Sequence, residues 1–340
     1  MHSRWNRTLW AALAVVAISV PAVAHQENVG ATQQSPRTAL LFEFHSNFWV
    51  NLHQVLFHEA LLRAGKPDRR LQSHLLLSAD GMSEQEKTTW TAAVDFYAKT
   101  FGTHQELFDD EMVNINNWLA QQPDDGASIR PSGVPPAVAE TLRNAASIYR
   151  KYWWQAHDAS NNQWIASQAD RVKGLGPQVA AAMEKDLHQQ WPAAPIRVDV
   201  CYYVPEIGNA YTTDDPPHTT FSSNAPSLQD LNGFETLFHE ASHSFADTMT
   251  NALFAECGTE KKNCGDLWHA ILFYTAGVEV RRALPPADQQ NFTPYAYKYG
   301  LYNRGDWPKY RVVLENDWQK YLDGKMDFIA AIHSMIAGLQ

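Results

Sequence analysis

Apolar residues recur at the three- and four-residue spacing of a helix face through most of the first 190 positions. Between 123 and 136 this helical spacing is interrupted by several Pro, Asp and Gly residues, which predict a loop. The predicted helices cover 44–64, 84–101 behind a Ser83–Glu86 capping box, 104–121, 137–157 and 161–190, the last interrupted near Gly174, Gly176 and Pro177.

The pattern changes after Pro192. Residues 196–204 are β-branched and aromatic with partial alternation, and 209–213 and 218–222 are short strand candidates. Helical periodicity then returns over 227–250, 265–284, 307–322 and 326–338. The chain is therefore predicted to be mainly α with a small antiparallel β-sheet, an α+β fold in which a helical N-terminal region, 25–190, precedes a sheet-bearing region, 191–340.

The first 24 residues differ from the rest. Arg4 and Arg7 precede an apolar run, 9–20, and Ala22 and Ala24 supply the small residues that signal peptidase recognises. This pattern predicts a signal peptide cleaved after Ala24, a short polar tail over 25–37, and a periplasmic or secreted protein. The apolar run is too short to span a bilayer comfortably, so no membrane insertion is expected after cleavage.

Composition narrows the class of protein. The 340 residues are 45% hydrophobic and 19% charged, which is typical of a folded globular chain and excludes a disordered or collagen-like one. Removing the signal peptide takes away two arginines and no acid, so the formal charge moves from −10 to −12. Such acidity argues against binding nucleic acid or anionic membrane surfaces. The sequence indicates no particular oligomeric state.

Three cysteines occur, all far from the signal peptide. Cys257 and Cys264 bracket a short polar loop, and an exported protein can keep a disulfide there. Cys201 lies in an apolar stretch, where a buried free thiol is expected.

One short segment combines metal ligands with a base. His239, Glu240 and His243 form an HExxH sequence inside a strongly helical stretch, 231–249. Because residues i and i+4 of a helix share a face, both imidazoles can reach one Zn²⁺ at about 2.0 to 2.1 Å. Glu240 lies beside them and can act as general base for the attacking water. With 14 His and 16 Glu, about 0.03 matches would arise by chance, so the motif predicts a zinc site.

This segment resembles the active-site helix of zincin metallopeptidases, and the resemblance covers roughly residues 196–284. It implies a zincin-like core, one zinc ion per chain, His239 and His243 as ligands, Glu240 as general base, and a third ligand further on. The metzincin continuation is absent, because neither Gly nor His follows at the required positions. The strand 208–212 resembles the cleft-edge strand with which zincins pair an extended substrate.

Helix geometry ranks the candidates for the third ligand. If the motif helix ends near 250, a returning helix that begins near 265 regains the level of His243 after about four to eight residues. This favours His269. Glu279 matches the ligand type of gluzincins, which take a Glu from a second helix, but it lies about 15 Å further along the axis. Asp266 and Glu256 also stay open.

Other side chains are candidates for supporting roles. Asp247, one turn beyond His243, is either an acceptor that orients an imidazole or a solvated carboxylate. Tyr299 and Tyr302 are predicted as oxyanion donors, with Tyr297 and His218 as further candidates; packing alone is the other explanation of this aromatic run.

The N-terminal helix carries three further histidines, His45, His53 and His58. They lie among Trp and Phe residues and are expected to pack or hydrogen-bond rather than bind metal.

These features predict an exported zinc-dependent metallopeptidase that acts on a peptide or protein substrate. Two other interpretations stay open. One is a non-catalytic envelope binding protein that retains a zincin-like fold, and the other is a chain whose histidines only pack the core.

Overall fold

The computed structural model describes residues 40–65, 77–130, 133–214, 216–258 and 264–339. Residues 37–340 form one compact unit. The predicted signal peptide and the whole predicted polar tail lie outside the described residues. No helix within these described ranges is both long and apolar enough to cross a membrane.

A four-stranded sheet lies at the centre of the fold. Its strands are β1 (Phe42–His45), β2 (Ile196–Cys201), β3 (Ala210–Asp214) and β4 (Pro217–Ser222), in the order β1-β2-β4-β3. β1 and β4 run parallel to β2, and β3 is antiparallel to β4 at one edge. The α+β class is confirmed, but the expectation of an antiparallel sheet holds only for the β3–β4 hairpin. Helices separate β1 from β2, and such long crossovers allow parallel pairing.

Helices make up most of the remaining described chain. Before β2 they are α1 (Phe48–Arg63), α2 (Glu84–Phe101), α3 (Asp110–Ala120), α4 (Pro136–Tyr149) and α5 (Gln155–Asp186), with a π-helical turn at Arg150–Trp154 between the last two. After β4 they are α6 (Asp230–Ser242), α7 (Asp247–Cys257), α8 (Leu267–Ala283), α9 (Pro286–Gln289), α10 (Tyr295–Lys298), α11 (Trp307–Val313), α12 (Gln319–Leu322) and α13 (Phe328–Ala337).

Side-chain caps fix where the first helices begin. The Ser83–Glu86 capping box is present at the start of α2, as predicted. At α1 the side chain of Asn47 accepts from the backbone N–H groups of Trp49 and Val50, at 2.9 and 3.1 Å. The predicted helix start at 44 is therefore wrong, because Phe44 belongs to β1. β1 could not be recognised from the sequence, because four residues are too few to show the alternation of apolar and polar positions in a strand.

The chain from Pro136 to Asp186 is helical throughout. The predicted break near Gly174, Gly176 and Pro177 is wrong, because α5 includes all three. A proline inside a helix costs about 3 kcal/mol through a lost hydrogen bond and a clash. Val179 and other apolar residues that follow it are buried in the core, and this packing offsets the local cost.

The sheet separates two hydrophobic cores. Val198 and Phe221 belong to a core that also contains buried residues of α5, α6 and α8. Cys201 and Tyr211 belong to a second core with α1, α2, α3 and α4. β1 comes from the predicted N-terminal region and pairs with β2, so the sheet joins both predicted regions. The division at residue 190 stays a prediction.

The motif helix ends earlier than predicted. α6 stops at Ser242, a 3-10 turn covers His243–Phe245, and α7 follows from Asp247. The hydroxyl of Ser242 donates to the carbonyl of His239 at 2.6 Å, a side-chain bond that competes with the helical ladder. Ala246 then leaves helical geometry, with φ −112° and ψ 5°.

The cysteines are arranged as predicted. Cys257, the last residue of α7, is disulfide-bonded to Cys264, three residues before α8 begins. Cys201 is buried and free. The disulfide thus closes the connection between α7 and α8.

Candidate metal centre

Three histidines from separate parts of the chain converge at the end of α6. His239 lies on α6, His243 on the following 3-10 turn, and His269 is the third residue of α8. One ring nitrogen from each lies within 4.8 Å of the others, and the cluster could hold a metal ion. The three ring centroids are 5.1 to 5.2 Å apart, so the imidazoles form a nearly equilateral triangle.

The nitrogen spacing suits a small tetrahedral ion. His239 Nε2 and His269 Nε2 are 3.2 Å apart. Bonds of about 2.0 to 2.1 Å to Zn²⁺ place two tetrahedral ligand nitrogens about 3.3 Å apart. His239 Nδ1 is buried and has no hydrogen-bond partner among the described residues. The nitrogen that faces the other histidines is Nε2, and its spacing from His269 Nε2 is what fits a shared metal ion.

Burial keeps two imidazoles of the cluster, those of His239 and His243, neutral. It lowers the pKa of His239 well below the usual range, and the neighbouring His243 and His269 lower it further. Burial, with His269, also lowers the pKa of His243 to about 3. Metal ligation requires the unprotonated ring, so near neutral pH both residues already have the form that binds an ion.

Aromatic side chains enclose the three rings. Phe273, one turn after His269 on α8, stacks on His239 with 3.4 Å between ring centroids. Trp268 stacks on His269 at 5.1 Å, and Trp307 lies 5.9 Å from the same ring. These walls lower the local dielectric and limit access of water, which strengthens electrostatic interactions at the cluster.

The carboxylate of Asp266 lies behind His269. Its Oδ1 is 3.8 Å from His269 Nδ1, and its Oδ2 accepts from Trp307 Nε1 at 3.1 Å. Asp266 is thus an outer neighbour of the third histidine rather than a member of the cluster. A carboxylate in this position favours a proton on Nδ1 and leaves Nε2 as the free ligand atom.

Glu240 is the acid beside the ligand nitrogen of His239. Its Oε1 is 4.0 Å from His239 Nε2, and its Oε2 accepts from the hydroxyl of Thr212 at 2.9 Å. Burial raises the pKa of Glu240 to about 7, although the Thr212 hydrogen bond lowers it. A base whose pKa lies near the working pH is well suited to take up and return a proton.

The other candidates for the third ligand are engaged elsewhere. Glu279 Oε1 accepts from Arg282 at 2.6 Å, two turns and more beyond His269 on α8. Glu256 Oε1 is 2.6 Å from His333 Nδ1. The structure therefore brings His269, and not Glu279 or Glu256, to the two motif histidines.

The structure places the remaining candidates away from the histidine triangle. Asp247 is exposed at the first position of α7. His218 has its Nε2 2.7 Å from Asp199 Oδ2 and its Nδ1 3.1 Å from Asn117 Oδ1, so both ring nitrogens are engaged. Burial tends to raise the pKa of Asp199, but hydrogen bonds and charge from His218 and Arg197 hold it below its usual range.

The predicted oxyanion donors, Tyr299 and Tyr302, contact other aromatic rings, and Tyr302 lies 5.8 Å from Trp307, the ring beside His269. Tyr302 is 2% exposed, packs on Tyr297, and has a hydroxyl without a hydrogen-bond partner in the described chain. Tyr299 packs on Tyr295 at 4.6 Å between centroids.

Tyr295 also lies one aromatic ring away from the cluster, and it was not predicted from the sequence. Its ring stacks on Phe273 at 5.9 Å, and burial and the charge of Glu240 both contribute to raising its pKa. The one hint in the sequence was that Tyr295 precedes the predicted donor Tyr299 by four residues, about one turn of a helix. Only the fold shows which of the two faces Phe273.

The N-terminal histidines all have contacts outside the cluster. His45 Nδ1 is 2.8 Å from Asp124 Oδ2, and His53 Nδ1 is 2.9 Å from the hydroxyl of Tyr97. His58 stacks on an aromatic ring of the same core, Tyr203, at 4.1 Å.

Comparisons of the chain with protein-family models, with curated proteins and with solved structures find no match. The chemistry of the site therefore carries the functional argument. That chemistry consists of three convergent histidines, a buried carboxylate beside them, and an aromatic enclosure.

Proposed function

We propose that this protein is a zinc-dependent metallopeptidase, with a zincin-like core and one zinc ion per chain held by His239, His243 and His269. The observation that carries the proposal is the convergence of three imidazoles next to the buried carboxylate of Glu240. Three nitrogen donors leave an open position in a tetrahedral site, the arrangement of catalytic zinc. When bound, zinc supplies a Lewis acid that polarises a carbonyl and makes water more acidic.

Glu240 acts as the general base. Thr212 holds its Oε2, so Oε1, 4.0 Å from His239 Nε2, is the oxygen left to face the cluster. Oε1 takes a proton from the attacking water and the same carboxyl returns it to the leaving amine. Phe273, stacked on His239, limits the water around this exchange, while His243 and His269 stay partly exposed.

A peptide or protein is the proposed substrate. The HExxH motif supports this choice. β3, which contains Thr212, forms one edge of the sheet, the position from which a strand can pair with an extended peptide. Its residues 210–213 are only 2 to 6% exposed, so β3 adds no independent support.

The proposed location is the periplasm or the exterior of the cell. The predicted signal peptide is one reason. The disulfide between Cys257 and Cys264 is another, because disulfides persist mainly in oxidising compartments.

Metal analysis combined with a peptidase assay tests the proposal. The mature protein and the variants His239→Ala, His269→Ala and Glu240→Gln are purified, loaded with zinc and dialysed. Zinc is measured by mass spectrometry and cleavage with a mixed fluorogenic peptide library. His333→Ala is the matched control, because His333 is 71% exposed and lies outside the cluster.

We expect one zinc per chain in the wild type, in His333→Ala and in Glu240→Gln, and loss of zinc in the other two variants. Cleavage should be lost in Glu240→Gln because the proton acceptor is gone. Zinc binding with cleavage that does not depend on Glu240 would contradict the mechanism. Zinc binding without any cleavage would favour a binding protein, and no zinc in the wild type would leave the histidines a packing role.

A further inference from the structure

A cavity lies along α8, beyond the histidine cluster. Its volume is about 340 Å³, within the range of small-molecule sites. Phe273, Val278 and Arg281 line it from α8, and Tyr297, Tyr302 and Glu315 line it from the facing segments. Arg281 follows His269 by twelve residues, which is about 18 Å along a helix axis. A group bound at Arg281 is therefore distinct from a ligand of the metal cluster.

Two of the three tyrosine hydroxyls in the cavity wall are engaged within the protein, and the third, that of Tyr302, is buried without a hydrogen-bond partner among the described residues. The hydroxyl of Tyr297 donates to Glu315 Oε1 at 2.8 Å, and that of Tyr274 donates to Gln319 Oε1 at 2.8 Å. Their rings therefore present mainly apolar faces to the cavity. An apolar or aromatic group of a ligand would be favoured between them.

The two charged side chains that line the cavity, Arg281 and Glu315, do not pair with each other. Arg281, which is exposed to solvent, donates to the backbone carbonyl of Phe292 at 3.2 Å and forms no ion pair with any carboxylate in the described ranges. Glu315, the acid in the lining, is paired with Arg311 at 2.8 Å. Burial raises the pKa of nearby Glu235 to about 8, despite the opposing charge of Arg281, so Glu235 is uncharged at neutral pH. One guanidinium is left without a counter-charge.

We propose that this cavity binds a small carboxylate with an apolar or aromatic body. The apolar body of the ligand lies between the tyrosine rings and Val278. Its carboxylate accepts hydrogen bonds from the Arg281 guanidinium, whose N–H groups can donate to both carboxylate oxygens at once. Phe273 lines the cavity and also stacks on His239, so the two sites share one ring. This inference does not depend on peptidase activity.

Calorimetric titration tests the site directly. The protein used is the full mature chain with Glu240→Gln, so that no probe is hydrolysed. The probes are hydrocinnamate, hydrocinnamyl alcohol, which has the same ring without the charge, and N-acetylglycylphenylalanine, which presents a peptide C-terminus. Arg281→Gln removes the guanidinium and Val278→Trp fills the cavity. Arg143→Gln is the control, because Arg143 is exposed on α4.

We expect hydrocinnamate to bind about tenfold or more tightly than the alcohol, and Arg281→Gln to remove that difference. Val278→Trp should weaken both probes, and Arg143→Gln should change neither. Tighter binding of the acetylated dipeptide would assign the carboxylate to a peptide C-terminus, and weaker binding would assign it to a free acid. Equal affinity for acid and alcohol, or an unaltered affinity in a folded Arg281→Gln protein, would overturn the proposal.

Discussion

The orientation of Glu240 depends on two threonines of the sheet. Thr212 on β3 and Thr219 on β4 are direct cross-strand partners, with their hydroxyl oxygens 3.0 Å apart. Thr212 donates its proton to Glu240 Oε2. A hydroxyl has one proton, so Thr219 must donate to Thr212. The register of the β3–β4 hairpin therefore holds the carboxylate that the proposed reaction requires.

We predict that Thr212→Val lowers kcat and leaves KM and zinc content nearly unchanged. A hydrogen bond to a charged group contributes about 1.5 to 3 kcal/mol, or roughly ten- to a hundredfold in rate. Steady-state kinetics on the peptide library measure the effect.

Thr212→Ser keeps the hydroxyl and should recover most of the rate. Thr213→Val is the matched control, because the Thr213 hydroxyl donates to Asn117 Oδ1 at 3.3 Å, away from Glu240. A normal kcat in Thr212→Val, or a Ser variant as slow as the Val variant, would show that the hydroxyl does not position the base.

At the scale of elements, α6 and α8 approach closely beside the buried carboxyl of Glu235. A Cβ on Gly277 of α8 would lie 3.0 Å from Glu235 Oε1 and 2.7 Å from Pro294 Cβ, so glycine permits the contact. Glu235 is 0% exposed, and its Oε2 accepts from the backbone N–H of Tyr295 at 2.7 Å. This one side chain thus joins α6 to α8 and α10.

The carboxyl of Glu235 should make stability depend on pH. Burial raises its pKa from 4.5 to about 8 in the folded protein, against a smaller opposing effect of the Tyr295 hydrogen bond. Between these values the folded state holds a proton that the unfolded chain has released. Its contribution to stability is complete below pH 4.5 and is lost as pH rises through about 8.

We predict that Glu235→Gln, which imitates the protonated carboxyl, is more stable than the wild type at pH 9 and close to it at pH 4.5. Urea unfolding at both pH values measures the difference. Glu140→Gln is the control, because Glu140 is exposed on α4 and should shift neither value. A Gln variant that is less stable than the wild type by the same amount at both pH values would contradict a protonated Glu235.

Local geometry explains which parts of the site could be predicted from the sequence. The i, i+4 spacing of His239 and His243 brings them together through one turn of chain, and the length of the α7–α8 connection favoured His269 over Glu279 without excluding it. Pairing of β1 with β2 joins residues about 150 positions apart. No local pattern encodes such pairing, so the parallel part of the sheet was missed.

Tertiary packing explains the other differences between the sequence prediction and the structure. Pro177 favours a break locally, but the contacts of α5 with the core keep it helical. The sequence does not show whether Tyr295 or Tyr299 lies against Phe273. The position of α10 in the fold stacks Tyr295 on it. The hydroxyl of Thr212 was unrecognised as a neighbour of Glu240, because that contact needs the sheet and α6 in their final positions.

At the scale of the whole molecule, the histidine cluster brings together segments that lie apart in the sequence. α6 and α8 belong to the same core, and the disulfide between Cys257 and Cys264 closes the chain between α7 and α8. An ion bound by His239, His243 and His269 would link these segments only in the folded state. Metal binding should therefore stabilise the protein against unfolding.

We predict that zinc raises the thermal unfolding temperature of the metal-free protein in a concentration-dependent way. At a free zinc concentration of 100 Kd the expected gain is about 2.7 kcal/mol. Differential scanning calorimetry with a zinc buffer measures it, and magnesium is the control ion because it prefers oxygen ligands. His269→Ala should abolish the shift and His333→Ala should keep it. Equal stabilisation of the wild type and His269→Ala would mean that zinc binds elsewhere, and equal effects of zinc and magnesium would mean that the histidine triangle does not select the ion.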